Sequence, residues 1–174
     1  MTETAHHGPS KERLAVGLAA ATLTVAMLAG ALAAYASDAG LTPTRVDVSA
    51  LEVFRTNITV LGGLALGLFT GGLATVVGLL QNGLVFGYAI AAATLSGHGG
   101  AVATGVGPHL LPELGGFVVG AGADLWLGAT LASRFLRRRA LLAQGDLRTW
   151  LRFQGAAVLL LAIGAIIEAV VSHV

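Results

Sequence analysis

The stretch from Ile58 to Leu95, ITVLGGLALGLFTGGLATVVGLLQNGLVFGYAIAAATL, decides the fold. It contains no charged residue. As a single helix it would run ~57 Å at ~1.5 Å per residue, almost twice the ~30 Å hydrocarbon core of a bilayer. It must turn back, and glycine marks where. Gly71-Gly72 is the preferred turn, giving spans Ser49–Thr70 and Leu73–Ser96; Gln81-Asn82-Gly83 is the other candidate. A water-facing fold fails on composition. The chain is 55% hydrophobic and 11% charged, where soluble domains carry roughly 25% charged residues.

Upstream lies a polar connection, Ser37 to Asn57, with Asp38, Asp47 and Glu52. Ser49 reads as an N-cap, so a helix starts there and enters the apolar layer near Asn57. Before it, Leu14 to Tyr35 is long enough to span. It follows Lys11 and Arg13 but exceeds the ~7–15 residues of a signal-peptide core, which favours a retained span. The Ala-Ala-Tyr-Ala-Ser flank keeps cleavage as the alternative. Downstream, the glycine-rich Ser96–Gly107 reads as an open loop. Pro108 and Pro112 lead into a fourth span, Leu111–Ser133, the basic stretch Arg134–Arg152 follows, and Phe153–Val171 forms the last span. The expected fold is an all-α polytopic transmembrane bundle of five spans. It forms a single membrane domain, residues 14–174, behind a disordered cytoplasmic tail, residues 1–13.

Arginines orient the bundle. Arg134, Arg137, Arg138, Arg139, Arg148 and Arg152 crowd the loop before the last span, which the positive-inside rule places in the cytoplasm. Lys11 and Arg13 agree, against Arg45 and Arg55 on the other side. The N-terminus is then cytoplasmic, the C-terminus outside and the location the cell membrane. Arg137, Arg138 and Arg139 read as topology determinants that contact lipid headgroups. A net charge of +1 identifies no partner, and no nucleic acid is expected. The absence of cysteine removes disulfides, thiolate metal sites and a cysteine nucleophile.

Ionisable groups within spans cost ~2.5–3.5 kcal/mol on insertion scales and mark candidate sites. On a helix with Glu113 at zero, His109 falls near about −40°, Gly120 near about −20° and Asp124 near about +20°, flanked by Gly116 and Gly128. One face of the fourth span is therefore small or polar, as in a helix packed inside a bundle. Pro112 lacks an N–H and disfavours helix at Leu111, so the regular helix is expected to begin after His109. Depth places Asn57, His109, Glu113 and Glu168 together beneath the outer surface. Three readings stay open: polar bonds between helices, a metal or proton site built on His109, Glu113 and Glu168, or a recognition surface for a partner.

Asn82 is expected to bond a neighbouring helix backbone. Trp126 and Trp150 read as packing or interfacial residues, with Trp150 as an interface anchor beside Arg148 and Arg152. The adjacent His6 and His7 make no metal site. No glycine pair continues into a phosphate-binding motif, and no serine sits in a nucleophile elbow. The sequence therefore calls for no enzyme chemistry, cofactor or metal.

Four motifs give the chain a family resemblance. They are Asn57 before the second span, Asn82-Gly83 with Gly87, the block Pro108-His109-Leu110-Leu111-Pro112-Glu113-Leu114, and Glu168 near the end of the last helix. Over roughly Phe54 to Val171 this order resembles the stage II sporulation protein M family. The central block departs from the family at Leu110, usually glycine, and at Pro112, while keeping the His-to-Glu spacing. The resemblance implies a multi-pass, non-enzymatic membrane scaffold. Founding members recruit peptidoglycan-degrading enzymes during forespore engulfment, but the family also occurs in organisms that never sporulate. The implied partners are membrane lipids and membrane or cell-envelope proteins, with a second copy of the chain as a further candidate. The outer loop Ser37–Thr56 is the expected docking place. The alternative is a small transporter or permease-like subunit using His109, Glu113, Asp124 and Glu168 as a polar pathway.

Overall fold

The structure, a computed structural model, describes residues 10–39 and 49–172. Among the described residues all regular structure is helical. Helix α1 spans Lys11–Ala36 and α2 spans Ala50–Leu64, the latter tightening into a 3₁₀ turn over Ala65–Leu68. Helix α3 spans Leu73–Ala93, α4 Gly107–Leu136 and α5 Gln144–Ser172. Of the expected tail, residues 1–9 lie outside the described residues, whereas Lys11 and Arg13 belong to α1. Much of the expected docking loop, including Arg45 and Asp47, also lies outside them.

Each helix end has a local cause. Ser49 caps α2: its hydroxyl accepts from the Glu52 N–H at 3.3 Å, and the Glu52 carboxylate accepts from the Ser49 N–H at 3.0 Å. This reciprocal pairing satisfies two otherwise orphaned donors. The chain reverses at Gly71 and Gly72, with φ of 64° and 99°, values that a side chain makes costly. Helix α4 ends on Arg138 at φ 51°. There the Arg139 N–H reaches back to the Arg134 carbonyl at 2.9 Å, and the Arg138 N–H to Phe135 at 3.0 Å. An arginine in this left-handed position costs roughly 1–2 kcal/mol relative to its usual conformation. Arg138→Gly is therefore expected to raise stability by about 1 kcal/mol, read as a higher midpoint of unfolding in detergent.

Two sequence expectations need correction. The stretch Ser96–Gly107 is not an open loop but stays coiled. Widened turns over Thr94–His98 and Val102–Val106 flank a short helical piece, Gly99–Ala101, and in the first turn Gly97 leaves helical geometry at φ 82°. Hydroxyls of Thr94, Ser96 and Thr104 bond carbonyls four residues back, at 2.8, 2.9 and 3.0 Å. Coiling keeps backbone groups bonded where water is scarce. Secondly, α4 starts at Gly107, so His109 is helical despite Pro112. Pro108 occupies a first-turn position where no N–H is needed.

The helices pack around one core to which all five contribute: Ala19 and Leu23, Leu61 and Leu64, Leu79, Phe117 with Ala121 and Leu125, and Ala157 with Leu161. Contacts fix the directions. Gly83 meets Leu23 and Ala26, and Gly87 meets Met27, so α1 and α3 run parallel. Val16 on α1 meets Gly122 on α4, with Glu12 beside Trp126, so those two run antiparallel. Gly116 against Ala157 and Gly164 against Glu113 make α4 and α5 antiparallel. The fully buried Thr75 hydroxyl donates to the Leu64 carbonyl at 2.8 Å, pinning α2 to α3.

Outward, the bundle shows leucine, valine and isoleucine nearly everywhere, with Leu32 69% and Phe69 87% exposed. An exterior of this kind needs an apolar solvent. Among the described residues four segments can cross a membrane by length and composition, Lys11–Ala36, Ala50–Leu68, Leu73–Leu136 and Gly145–Val171, rather than the five expected. The count differs because helical turns follow one another from α3 to α4 with only a kink at Gly97 between them, so Leu73–Leu136 reads as one segment. It is nonetheless folded back. Gly71 and Gly72 before α3 approach Ala132 and Gly128 late in α4, while Phe86 further along α3 shares a cleft with His109 and Glu113 early in α4.

Candidate functional site

Asn57, His109, Glu113 and Glu168 line one cleft of about 340 Å³ at the end of the bundle remote from the arginine-rich link between α4 and α5. Glu52, Val53, Thr56 and Phe86 complete its walls. Helix α2 supplies Asn57, directly after Thr56, α4 supplies His109 and Glu113 on one face, and α5 supplies Glu168. The Asn57 side-chain amide donates to Glu113 Oε1 at 2.7 Å, with both side chains buried. His109 is 8% exposed, and its Nδ1 has no hydrogen-bond partner. Gly164 makes room for this group, since a Cβ there would press on the Glu113 side chain and approach the His109 carbonyl at 3.3 Å. Among the described residues no three His, Asp or Glu side chains are placed to share a metal ion.

A second polar group lies toward the opposite end. Asp124 is fully buried and accepts from Trp150 Nε1 and Gln154 Nε2, both at 2.8 Å. Gln154 also donates to the Gly120 carbonyl at 3.3 Å. Trp150, expected as an interface anchor, instead turns its indole N–H inward to this carboxylate. Its partner Gln154 was missed by sequence reasoning. A lone amide one turn beyond Trp150 at the mouth of an apolar helix was the available signal. Asp124 Oδ2 has no hydrogen-bond partner.

Between the two groups the bundle is apolar. Phe117, Ala121, Ala157 and Leu161, each no more than 2% exposed, close over Leu61. Glu113 and Asp124 are ~16 Å apart along the helix at ~1.5 Å per residue, and apolar packing fills that distance. Asn82 joins neither group. It is half-buried, and its amide bonds the Gly78 carbonyl of its own helix at 2.8 Å rather than a neighbouring helix.

At the other end, Arg134 pairs with Asp146 and donates to the Leu141 carbonyl at 3.1 Å, clasping the link between α4 and α5. Arg137 and Arg139 line a cleft there together with Lys11, and Arg138 does not. Lys11 and the arginine-rich link thus share one end of the bundle.

The full path of the chain can now be set beside known families. A family model described as Stage II sporulation protein M matches residues 15–173. The chain belongs to the stage II sporulation protein M family. The match includes α1, which the motifs in the sequence had left out, and membership agrees with an exterior made for lipid: this is a membrane protein. No curated protein and no solved structure matches the chain.

Proposed function

We propose that this member of the family is a non-enzymatic membrane scaffold that recruits a membrane or cell-envelope protein through its outer polar cleft. The supporting observation is the buried apolar layer of Phe117, Ala121, Ala157 and Leu161 between the two polar groups. A transporter using His109, Glu113, Asp124 and Glu168 needs a continuous polar route, and this layer interrupts it. The acidic cleft stays open at its end, where Thr56 and Glu52 are exposed.

In this reading the chain crosses the cell membrane five times. As one helix the 64 residues of Leu73–Leu136 would extend ~96 Å, and their antiparallel folding supports two crossings. Lys11 beside the arginine-rich link supports a cytoplasmic N-terminus and an outside C-terminus. The burial of Ala19 and Leu23 in the core supports retention of α1.

A photo-crosslinking residue at Thr56 tests the role. In native membranes one discrete protein adduct is expected, and Glu113→Gln should reduce it severalfold while the protein still folds. Solute or ion flux in reconstituted vesicles that disappears in Glu113→Gln would replace the scaffold with the transporter.

A further inference from the structure

A cleft of about 770 Å³ opens at the arginine-rich end between α1, the start of α3 and the end of α4. Its walls are mainly apolar, Leu18, Leu125 and Trp126 among them, and Gly71-Gly72 forms part of its lining. Its rim carries Lys11, Arg134, Arg137 and Arg139. Arg134 is committed to Asp146. Lys11, Arg137 and Arg139 have no carboxylate partner among the described residues. No acidic side chain lines the cleft. Gly72, the residue that precedes the first turn of α3, belongs to the same lining, so the positive end of the α3 dipole lies beside this space.

The geometry points to a bound anionic phospholipid in this cleft, its phosphate held by Lys11, Arg137 and Arg139 and its upper acyl chains lying against Leu18, Leu125 and Trp126. A basic rim over an apolar interior between membrane helices is the chemistry of such a site. A free phosphate would leave the apolar walls empty, and a zwitterionic lipid would leave three cations unmatched. The assignment is narrower than general attraction of basic residues to a charged bilayer. Arg138, the middle residue of the triplet, adopts left-handed backbone geometry and lies outside the cleft lining. It carries the same charge at the same depth, so it serves as an internal control.

Trp126 lies in the cleft wall, and the chain has only two tryptophans. With Trp150→Phe as background, Trp126 fluorescence is measured in bilayers containing brominated phosphatidylglycerol or brominated phosphatidylcholine. Phosphatidylglycerol is expected to quench Trp126 at the lower mole fraction. Arg137→Gln and Arg139→Gln should each weaken that preference about fivefold, the equivalent of ~1 kcal/mol per basic residue near a charged surface. Arg138→Gln should leave it within about twofold. Should Trp150→Phe fail to fold, native mass spectrometry of the unmodified protein gives the same comparison as retained lipid adducts. Equal quenching or retention of the two lipids overturns the site, as does an effect of Arg138→Gln equal to that of Arg139→Gln. Displacement of the bound species by inorganic phosphate alone overturns the lipid assignment.

Discussion

Asn57→Leu is expected to destabilise the bundle by about 2–3 kcal/mol, although leucine is the more apolar residue and the position is buried. The cost arises on the partner. Asn57 donates to Glu113 Oε1 at 2.7 Å, and Glu113 is only 5% exposed. Removing the donor leaves a carboxyl group desolvated and unpaired, a larger penalty than the bond's own net worth of ~0.6 kcal/mol in a membrane. Removing both partners is different. Asn57→Leu/Glu113→Leu should return to within about 1 kcal/mol of the unaltered protein, since no polar group is then stranded. Unfolding in mixed micelles of mild detergent and dodecyl sulfate, followed by tryptophan fluorescence, measures the cycle. Strict additivity of the two single losses would show that Asn57 and Glu113 are not coupled. The same logic makes Glu113→Gln a fair functional probe, because its amide oxygen still accepts from Asn57.

The convergence behind that prediction was readable from the sequence to an unusual degree. The four-residue spacing puts His109 and Glu113 on one helix face, and the order of spans puts Asn57 and Glu168 at the same depth. Gly71-Gly72 was readable as a turn because the apolar run is too long for one crossing and two successive positive φ values suit only glycine. What stayed hidden depends on registers between helices. Asp124 meets Trp150 and Gln154 only because α4 and α5 run antiparallel with Gly120 beside Gln154, and no local pattern encodes that offset. Phe86 joins the outer cleft for a similar reason, through the return of α3 beside α2. The helical turns over residues 94–106, broken only at Gly97, were hidden because glycine-rich sequence signals a loop in water. Without water, hydroxyls and coiling keep the backbone satisfied instead. Arg138 is set apart from Arg137 and Arg139 by its own left-handed backbone, a feature that a run of identical side chains conceals.

Gly87→Leu should cost more than any polar substitution, about 3 kcal/mol or more, and should separate α1 from α3. A Cβ at Gly87 would land on the Met27 carbonyl, and one at Gly30 on the Leu84 carbonyl. The obstacle in each case is backbone, which cannot move aside as a flexible side chain can. Close approach through small residues is how parallel helices gain dispersion energy where lipid offers no hydrophobic driving force. Ala34 against Ala91 and Ala92 continues the same seam toward the outer end. Since the chain has no native cysteine, Ala34→Cys with Ala91→Cys provides a clean reporter of that seam. The disulfide should form readily in the otherwise unaltered chain and fail once Gly87→Leu is added. Gly17→Leu is the matching control, because nothing lies within 4 Å of a Cβ at that position, and it should leave crosslinking unchanged. The seam also carries the topology: two parallel helices must enter from the same side, so α2 has to return between them. If the crosslink survived Gly87→Leu, the close packing at Gly87 would have to be abandoned; if it failed to form in the otherwise unaltered chain, so would the parallel direction assigned to α1 and α3.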